Sequence, residues 1–471
     1  MRYLVRIALP VVLAATLSAQ RQHVDPDIAP FVTTNAPLVA LTHARVIDGT
    51  GAAAREDQTL ILDEGIITSI GASDAVAVPP GAIVLDLSGR TVMPGLVMVH
   101  EHLYYPTGPG VYGQLGESFV RLYLAGGVTT MRTGGNVNGF MDLNLKRLTA
   151  AGTKAGPEID ATAPYLNGPN NFVQMRSMEG PADARKQVTY WADEGATSFK
   201  AYMNITRGEL GAAIDEAHKR GIKVTGHLCS VTYGEAVDLG IDNLEHGFFA
   251  ATDFVADKAP DTCPSGAATR QALAALTPES PAFIALAKKL IAKNVALTST
   301  LTVFETFTPG RPMPPGLDVL VAPLKEQFER GFERTAANKT SPYIEFFPKM
   351  MALELAFARM GGTLIAGTDP TGGGGVIPGF SNQRALELLV DAGFTPLDAI
   401  SIGTRNGARY LGRDARIGTL AIGKQADLIV INGNPAANIA DIRNVETVFK
   451  RGVGFSPAKL IESVKGKVGL W

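Results

Sequence analysis

From residue 96 onward, short apolar runs alternate with longer amphipathic stretches. The runs cover residues 96–102, 128–133, 158–163, 197–202, 223–228, 242–247, 295–301 and 363–369. Each is brief, rich in apolar or β-branched side chains and set off by Gly, Pro or polar residues, as a buried strand is. Helical stretches lie between most of them. Residues 207–220, closed by Gly221, and 346–360, closed by Gly361 and Gly362, are two examples; glycine just past a helical run is a stop signal. Eight strands alternating with helices over about 270 residues match the size of a (β/α)8 TIM barrel, an α/β fold. Two connections, 248–293 and 302–345, are too long for ordinary loops. Both leave strand ends, which makes each a candidate lid.

The pattern differs at the two ends. Residues 38–47, 59–62, 66–70 and 83–87 are strand-like runs separated by Gly49, Gly51, Gly65, Gly71 and Pro79-Pro80-Gly81. After the eighth barrel strand, 382–392 and 396–411 read as helices. The turn-then-strand texture then returns over 418–431 and 445–451. The expectation is a small β-sandwich domain shared by residues 36–92 and 412–456, with the larger barrel over 93–411 inserted between its halves.

The first residues form an export pattern. Arg2 and Arg6 precede an apolar stretch over 7–17, and Ser18-Ala19 offers a cleavage point. Residues 1–19 therefore read as a signal peptide, with a short N-terminal anchor as the alternative. The mature chain is expected to be periplasmic or secreted and free of the membrane. With 46% hydrophobic and 19% charged residues, the 471-residue chain can build a large core. A formal net charge of -2 gives no reason to expect a nucleic-acid partner. Cys229 and Cys263 are the only cysteines. They are not a disulfide framework, and Cys229 stands two residues from a candidate ligand, so both are expected to be free thiols.

The chemistry begins at His100-Glu101-His102, which follows Pro94-Gly95 and the run Leu96-Val97-Met98-Val99. Side chains alternate along a strand, so His100 and His102 share a face and Glu101 takes the other. Two imidazoles at a strand end can hold a metal ion. His227, His246 and Asp369 also stand at C-terminal ends of predicted strands. Lys200 lies in Thr197-Ser198-Phe199-Lys200-Ala201-Tyr202. If Phe199 and Ala201 face the helices, Lys200 faces the barrel interior. A buried amine has a lowered pKa and is nucleophilic. It can add carbon dioxide and become a carbamate able to bridge two ions. His23, His43 and His218 lie in the arm, the β unit and an exposed helix.

With these residues in hand, the chain resembles the metal-dependent amidohydrolase superfamily. The matching pieces are His100-x-His102, Gly127-Val128-Thr129-Thr130, Lys200, His227, His246 and Asp369 in barrel order. The closing Gly418-Thr419-Leu420 with Ala426-Asp427-Leu428 matches too. Within the superfamily it is similar to the branch of binuclear peptidases and imidazolonepropionase-like proteins. That branch includes prolidase-like dipeptidases, carboxypeptidases and ochratoxin-hydrolysing amidohydrolases. The resemblance implies that His100, His102 and Asp369 hold the more buried of two divalent ions, and that His227 and His246 hold the more exposed one. Carboxylated Lys200 would bridge both, together with a shared hydroxide. Zinc is the expected metal. One departure stands out: where many relatives read Val-Arg-Asp after Gly-Val-Thr-Thr, this chain has Met131-Arg132-Thr133.

The implied reaction is hydrolysis of an amide bond in a dipeptide-like or N-acyl amino-acid substrate, ochratoxin-type amides included. Asp369 would act as general base and then acid. The alternative is a cyclic amide, lactone or phosphoester hydrolase using the same site. A non-catalytic metal-binding barrel is disfavoured, because all six ligand positions are filled. Tyr104, Tyr105, Arg132, Tyr165, Asn167 and Tyr202 are candidate substrate contacts. Tyr202, Arg132 and Tyr165 lead, and Tyr202 shares the face of Lys200. The partner is a small molecule or short peptide; homo-oligomerisation is left open.

Overall fold

A computed structural model describes residues 24–108, 110–169 and 172–469. The export pattern at residues 1–19 lies outside the described residues. Eight parallel strands carry the molecule: β1 (Leu96–Glu101), β2 (Val128–Thr133), β3 (Glu158–Asp160), β4 (Ser198–Ala201), β5 (Lys223–Gly226), β6 (Asn243–Glu245), β7 (Ala296–Ser299) and β8 (Leu364–Ala366). They pair in sequence order, β1-β2-β3 in one sheet and β4 to β8 in another. Between β3 and β4 the sheets meet at the parallel bridge Thr162–Ser198. At the other side, the amides of Thr368 and Asp369, just past β8, both donate to the His100 carbonyl in β1 at 3.1 and 3.0 Å.

Nearly every residue of these strands is buried, as expected of parallel strands covered on both faces. The helix Arg207–Lys219 illustrates the covering layer. Thr206 caps it, accepting from the Glu209 amide, and the Glu209 carboxylate accepts from the Thr206 amide in return. Leu210, Ala213, Ile214 and Ala217 recur at helical spacing and form its buried face. The helix Tyr343–Arg359 begins three residues before the predicted 346 and accommodates Pro348. A proline there removes one backbone hydrogen bond. Burial of Phe346, Phe347, Met350, Leu353 and Phe357 offsets that loss.

The two ends of the chain meet in one nine-stranded sheet. Arg90–Pro94 from the N-terminal part runs antiparallel to Leu428–Asn432 from the C-terminal part, with Val92 opposite Val430. Val39, Leu41, Leu60, Leu62, Val92, Leu428, Val430 and Phe449 form an apolar cluster of their own there.

Two expectations change. The long connections are not open loops. The first holds the helices Gly266–Ala274 and Pro281–Ala292, and the second holds Leu301–Glu305 and Ala322–Ala337. Nor are the cysteines free: Cys229 and Cys263 form a disulfide, with Cα atoms 4.9 Å apart. The 248–265 segment folds back over the exit of β5 and brings together two residues 34 positions apart, a proximity that spacing alone does not encode.

Candidate metal centre

The site gathers where the strands end. His100 and Glu101 close β1, and His102 follows directly. All three are buried, at 1%, 0% and 1% exposure. Glu101 turns away from the two imidazoles and accepts from Asn382 Nδ2 at 3.0 Å and from the Thr368 hydroxyl. Burial pushes its carboxyl up to about 8 despite those donors.

Local backbone makes room for the histidines. A Cβ on Gly134 would lie 2.3 Å from the His100 ring. Gly135, with φ +105°, turns its carbonyl toward His102 Nδ1, which donates to it at 2.9 Å. His246 and Asp369 have φ of +68° and +54°. The left-handed region is strained for such residues and recurs at functional sites. There it re-aims both side chains just beyond β6 and β8.

The imidazoles are held from behind. His100 Nδ1 donates to Glu245 Oε2 at 2.7 Å, and His246 Nδ1 lies 2.9 Å from the Thr300 hydroxyl. With the Nδ1 atoms of His100 and His102 committed to Glu245 and the Gly135 carbonyl, their Nε2 atoms face the site. Those atoms lie 3.7 and 3.1 Å from Asp369 Oδ1. The Nε2 of His246 is buried without a partner. Burial lowers His102 to about 4 and His227 to about 3, and it also lowers His246. For Asp369 burial acts upward, but His100, His102 and His246 draw it further down, well below the usual carboxylate range.

Imidazole nitrogens and a carboxylate oxygen converging on one point are a metal-ligand arrangement, which a divalent cation would complete. His100, His102 and Asp369 offer three ligand atoms within 4.8 Å of one another. His227, the most open of the four imidazoles, has its ring centroid 4.2 Å from that of His246; His246 in turn lies 4.7 Å from His100. The donor set of imidazoles and carboxylate suits zinc-like ions. Lys200 is 1% exposed, and its Nζ is 3.5 Å from Glu245 Oε1. Burial draws its amine down to about 8, with Arg132 adding to the effect and Glu245 opposing it.

Among the expected substrate contacts, Tyr202 and Tyr165 adjoin the cluster. The Tyr202 ring is 5.0 Å from His227 and 4.9 Å from Tyr165. Tyr104 joins them: its ring stacks on His102 at 4.4 Å, and its hydroxyl is 2.5 Å from that of Tyr165. Arg132 does not reach the open face. It is 1% exposed and donates to Ser198 Oγ (2.7 Å), the Val99 carbonyl (2.8 Å), Thr225 Oγ1 (2.7 Å) and Glu245 Oε1 (3.1 Å). The guanidinium braces the floor beneath the ligands rather than meeting a substrate anion. Tyr105 is buried, its hydroxyl accepting from the Gly375 amide, and Asn167 Oδ1 accepts from the amides of Gly168 and Asn204.

Sequence reasoning passed over Glu245, which touches His100, Arg132 and Lys200 at once. A signal was present: a glutamate inside the short buried run Asn243-Leu244-Glu245-His246 must find cationic partners. Thr300 gave no comparable signal.

Parallel strands that deliver imidazoles and a carboxylate at their C-terminal ends make an α/β protein with a candidate metal site. The chain belongs to the amidohydrolase family, whose sequence pattern matches residues 91–454. An enamidase from Eubacterium barkeri is 28% identical over 180 residues, a stretch covering 36% of this chain and 44% of the enamidase. The matched part thus spans less than half of that relative. A Bifidobacterium longum protein described as a prolidase superposes with a TM-score of 0.66 at 25% identity, covering 88% of this chain and 94% of its own. Ochratoxinase from A. niger shares the fold, with a TM-score of 0.63 at 18% identity over 92% of this chain and 100% of its own.

Proposed function

We propose that the chain is a binuclear metal-dependent hydrolase cleaving the amide bond of a dipeptide-like or N-acyl amino-acid substrate. The observation that carries this reading is the convergence of the His100 and His102 Nε2 atoms on Asp369 Oδ1, with the buried Nε2 of His246 beside them unpartnered. On this reading the eight strands make one (β/α)8 barrel over residues 93–411. Residues 36–92 and 412–456 fold together as a small β-sandwich, and residues 1–19 direct export. His100, His102 and Asp369 hold one ion, and His227 and His246 hold the second. Lys200 would take up carbon dioxide as a carbamate and serve as a ligand common to both ions, and zinc fits the donors.

A bound divalent pair supplies an acidified water and polarises the scissile carbonyl. The protein does the rest. Asp369, a carboxylate at neutral pH because its histidine neighbours outweigh burial, takes the proton of the attacking water and returns it to the leaving nitrogen. Tyr104 and Tyr165 fix each other's hydroxyls above His102. The products are an acid and an amine.

Elemental analysis after reconstitution in bicarbonate tests the reading: about two ions per chain are expected. Lys200→Ala should lose most metal and turnover, with partial recovery in short-chain carboxylic acids. One ion with full turnover, or a Lys200→Ala variant indistinguishable from wild type, overturns the binuclear assignment. A panel of dipeptides, N-acyl amino acids, cyclic amides and lactones separates amide hydrolysis from its alternative.

A further inference from the structure

Beside the histidines stands a ring of aromatic side chains drawn from three separate segments. Tyr104 meets Tyr112 at 5.1 Å, Tyr112 meets Phe172 at 6.2 Å, Phe172 meets Tyr202 at 6.5 Å and Tyr202 meets Tyr165 at 4.9 Å. The Tyr165–Tyr104 hydroxyl contact closes the ring. Tyr104 and Tyr165 are buried. Tyr112 and Tyr202 are half-open, and Phe172 is 38% exposed. The open part of the ring therefore lies next to His227, the most open imidazole.

This wall is built rather than incidental. The hairpin Tyr104–Gly108/Val111–Gln114 is latched to the segment carrying Phe172 by one side chain. The Gln174 amide oxygen accepts from the Tyr112 amide at 2.7 Å, and its Nε2 donates to the Tyr112 carbonyl at 2.9 Å. Around the latch the rim is apolar: Val111 is 45% and Val173 88% exposed. Among the described residues, the cations that sit over rings do so elsewhere, on Phe31, Phe347 and Tyr410. Burial and Asp369 together raise the Tyr112 phenol to about 12, so it stays neutral.

We infer that Tyr112, Phe172 and Tyr202 seat a planar aromatic, uncharged group on one side of the scissile amide, and so set the substrate class. This rests on the hydrolase reading above only for the chemistry, not for the binding. An anionic group there would lose water without gaining a cation, whereas a flat ring meets three ring faces and edges.

The test has two arms. Wild-type holoenzyme is given N-(2-naphthoyl)glycine, N-benzoylglycine and N-acetylglycine, and the uncharged probe N-methyl-2-naphthamide is titrated by its fluorescence. The naphthoyl substrate should exceed the acetyl one in kcat/KM by at least about tenfold, with benzoyl between. Phe172→Ala, a change at an exposed position, and Gln174→Ala, which releases the latch, should each shrink that ratio about tenfold and weaken the probe to match. If no amide is cleaved but the probe binds and both variants weaken it, the hydrolase reading fails and the aromatic seat stands. Equal kcat/KM for naphthoyl and acetyl, or probe binding untouched by both variants, overturns the seat.

Discussion

Removing the charge of Glu245 while keeping its shape should weaken both the fold and the metal centre. The carboxylate is fully buried and receives His100 Nδ1 at 2.7 Å, Arg132 Nη1 at 3.1 Å and Lys200 Nζ at 3.5 Å. Burial alone would raise its pKa, but Lys200, His100 and Arg132 together hold it well below the usual range. In Glu245→Gln one oxygen remains for three donors, and the new NH2 faces one of them. Breaking a buried pair by removing one partner costs roughly 3–5 kcal/mol. Arg132 keeps Val99, Ser198 and Thr225 as acceptors, which argues for the lower end, about 3 kcal/mol. Loss of the His100 orienter should also cost about 10–100-fold in metal affinity. The assay is urea unfolding of the metal-free chain, with competitive chelation for the metal. Arg132→Met and the double variant complete a cycle, in which the double variant should cost less than the sum of the singles by at least about 1 kcal/mol. A Glu245→Gln chain within about 0.5 kcal/mol of wild type, binding metal as tightly, refutes the role. Additive costs would mean that Arg132 is not its partner.

Asp369→Asn keeps one ligand oxygen but not the proton acceptor; turnover should fall about 10²–10⁴-fold with metal retained, as elemental analysis alongside kinetics will show. Turnover within a few-fold of wild type, both ions present, would place the proton elsewhere. The Cys229–Cys263 disulfide closes a 34-residue separation, so Cys263→Ser should lose about 3–4 kcal/mol in thermal or urea unfolding; an unchanged midpoint would contradict this. Stability should depend on pH through His102, which burial lowers from 6.5 to about 4. Between those values the unfolded chain takes up a proton that the folded chain refuses. Through this group the metal-free protein is fully stable above pH 6.5 and loses about 1.4 kcal/mol per unit as the pH falls from 6.5 towards 4, with no further loss below that, and the lowered His227 and His246 add to the same trend. Urea midpoints at pH 7, 6 and 5 check this, and a flat series would exclude it.

Much of the fold was legible because parallel strands covered on both faces are continuous apolar runs. All eight predicted runs coincide with observed strands, although β3, β6 and β8 are only three residues long. The two halves of the small sheet were legible for a similar reason: turn residues punctuate short β-branched runs on both sides of the larger unit. Helix Ala322–Ala337 in the second long connection presents a mostly polar surface and buries only Phe328 completely. Such a helix leaves a faint periodic trace in the sequence. Pro281–Ala292 in the first, with Phe283, Leu286, Ala287 and Leu290 buried at helical spacing, carried a signal that was passed over. The disulfide was invisible for a different reason: it depends on where a helical excursion lands, not on spacing.

At the site, what the sequence discloses is face, and what it withholds is depth. Alternation places His100 and His102 together and Glu101 behind them, and the structure agrees. Arg132, expected as a contact for an anionic substrate group, is instead buried on β2, because alternation says nothing of level. Register supplies the level. Arg132 stands opposite Asp160 of β3, and its guanidinium reaches Ser198, the first residue of β4, and Thr225 of β5. That layer spans Ser198, two residues before Lys200, and Thr225, which is in register with Lys200. An inward cation at that depth cannot meet a substrate. It can only meet another inward charge, and Glu245, at the end of β6, provides it. The ligands above inherit their order from this pair: the carboxylate that satisfies Arg132 also fixes the His100 ring and neighbours the Lys200 amine. Periodicity cannot find such a layer from any single strand, because its members come one each from β1, β2, β4, β5 and β6 and meet only when the strands are in register.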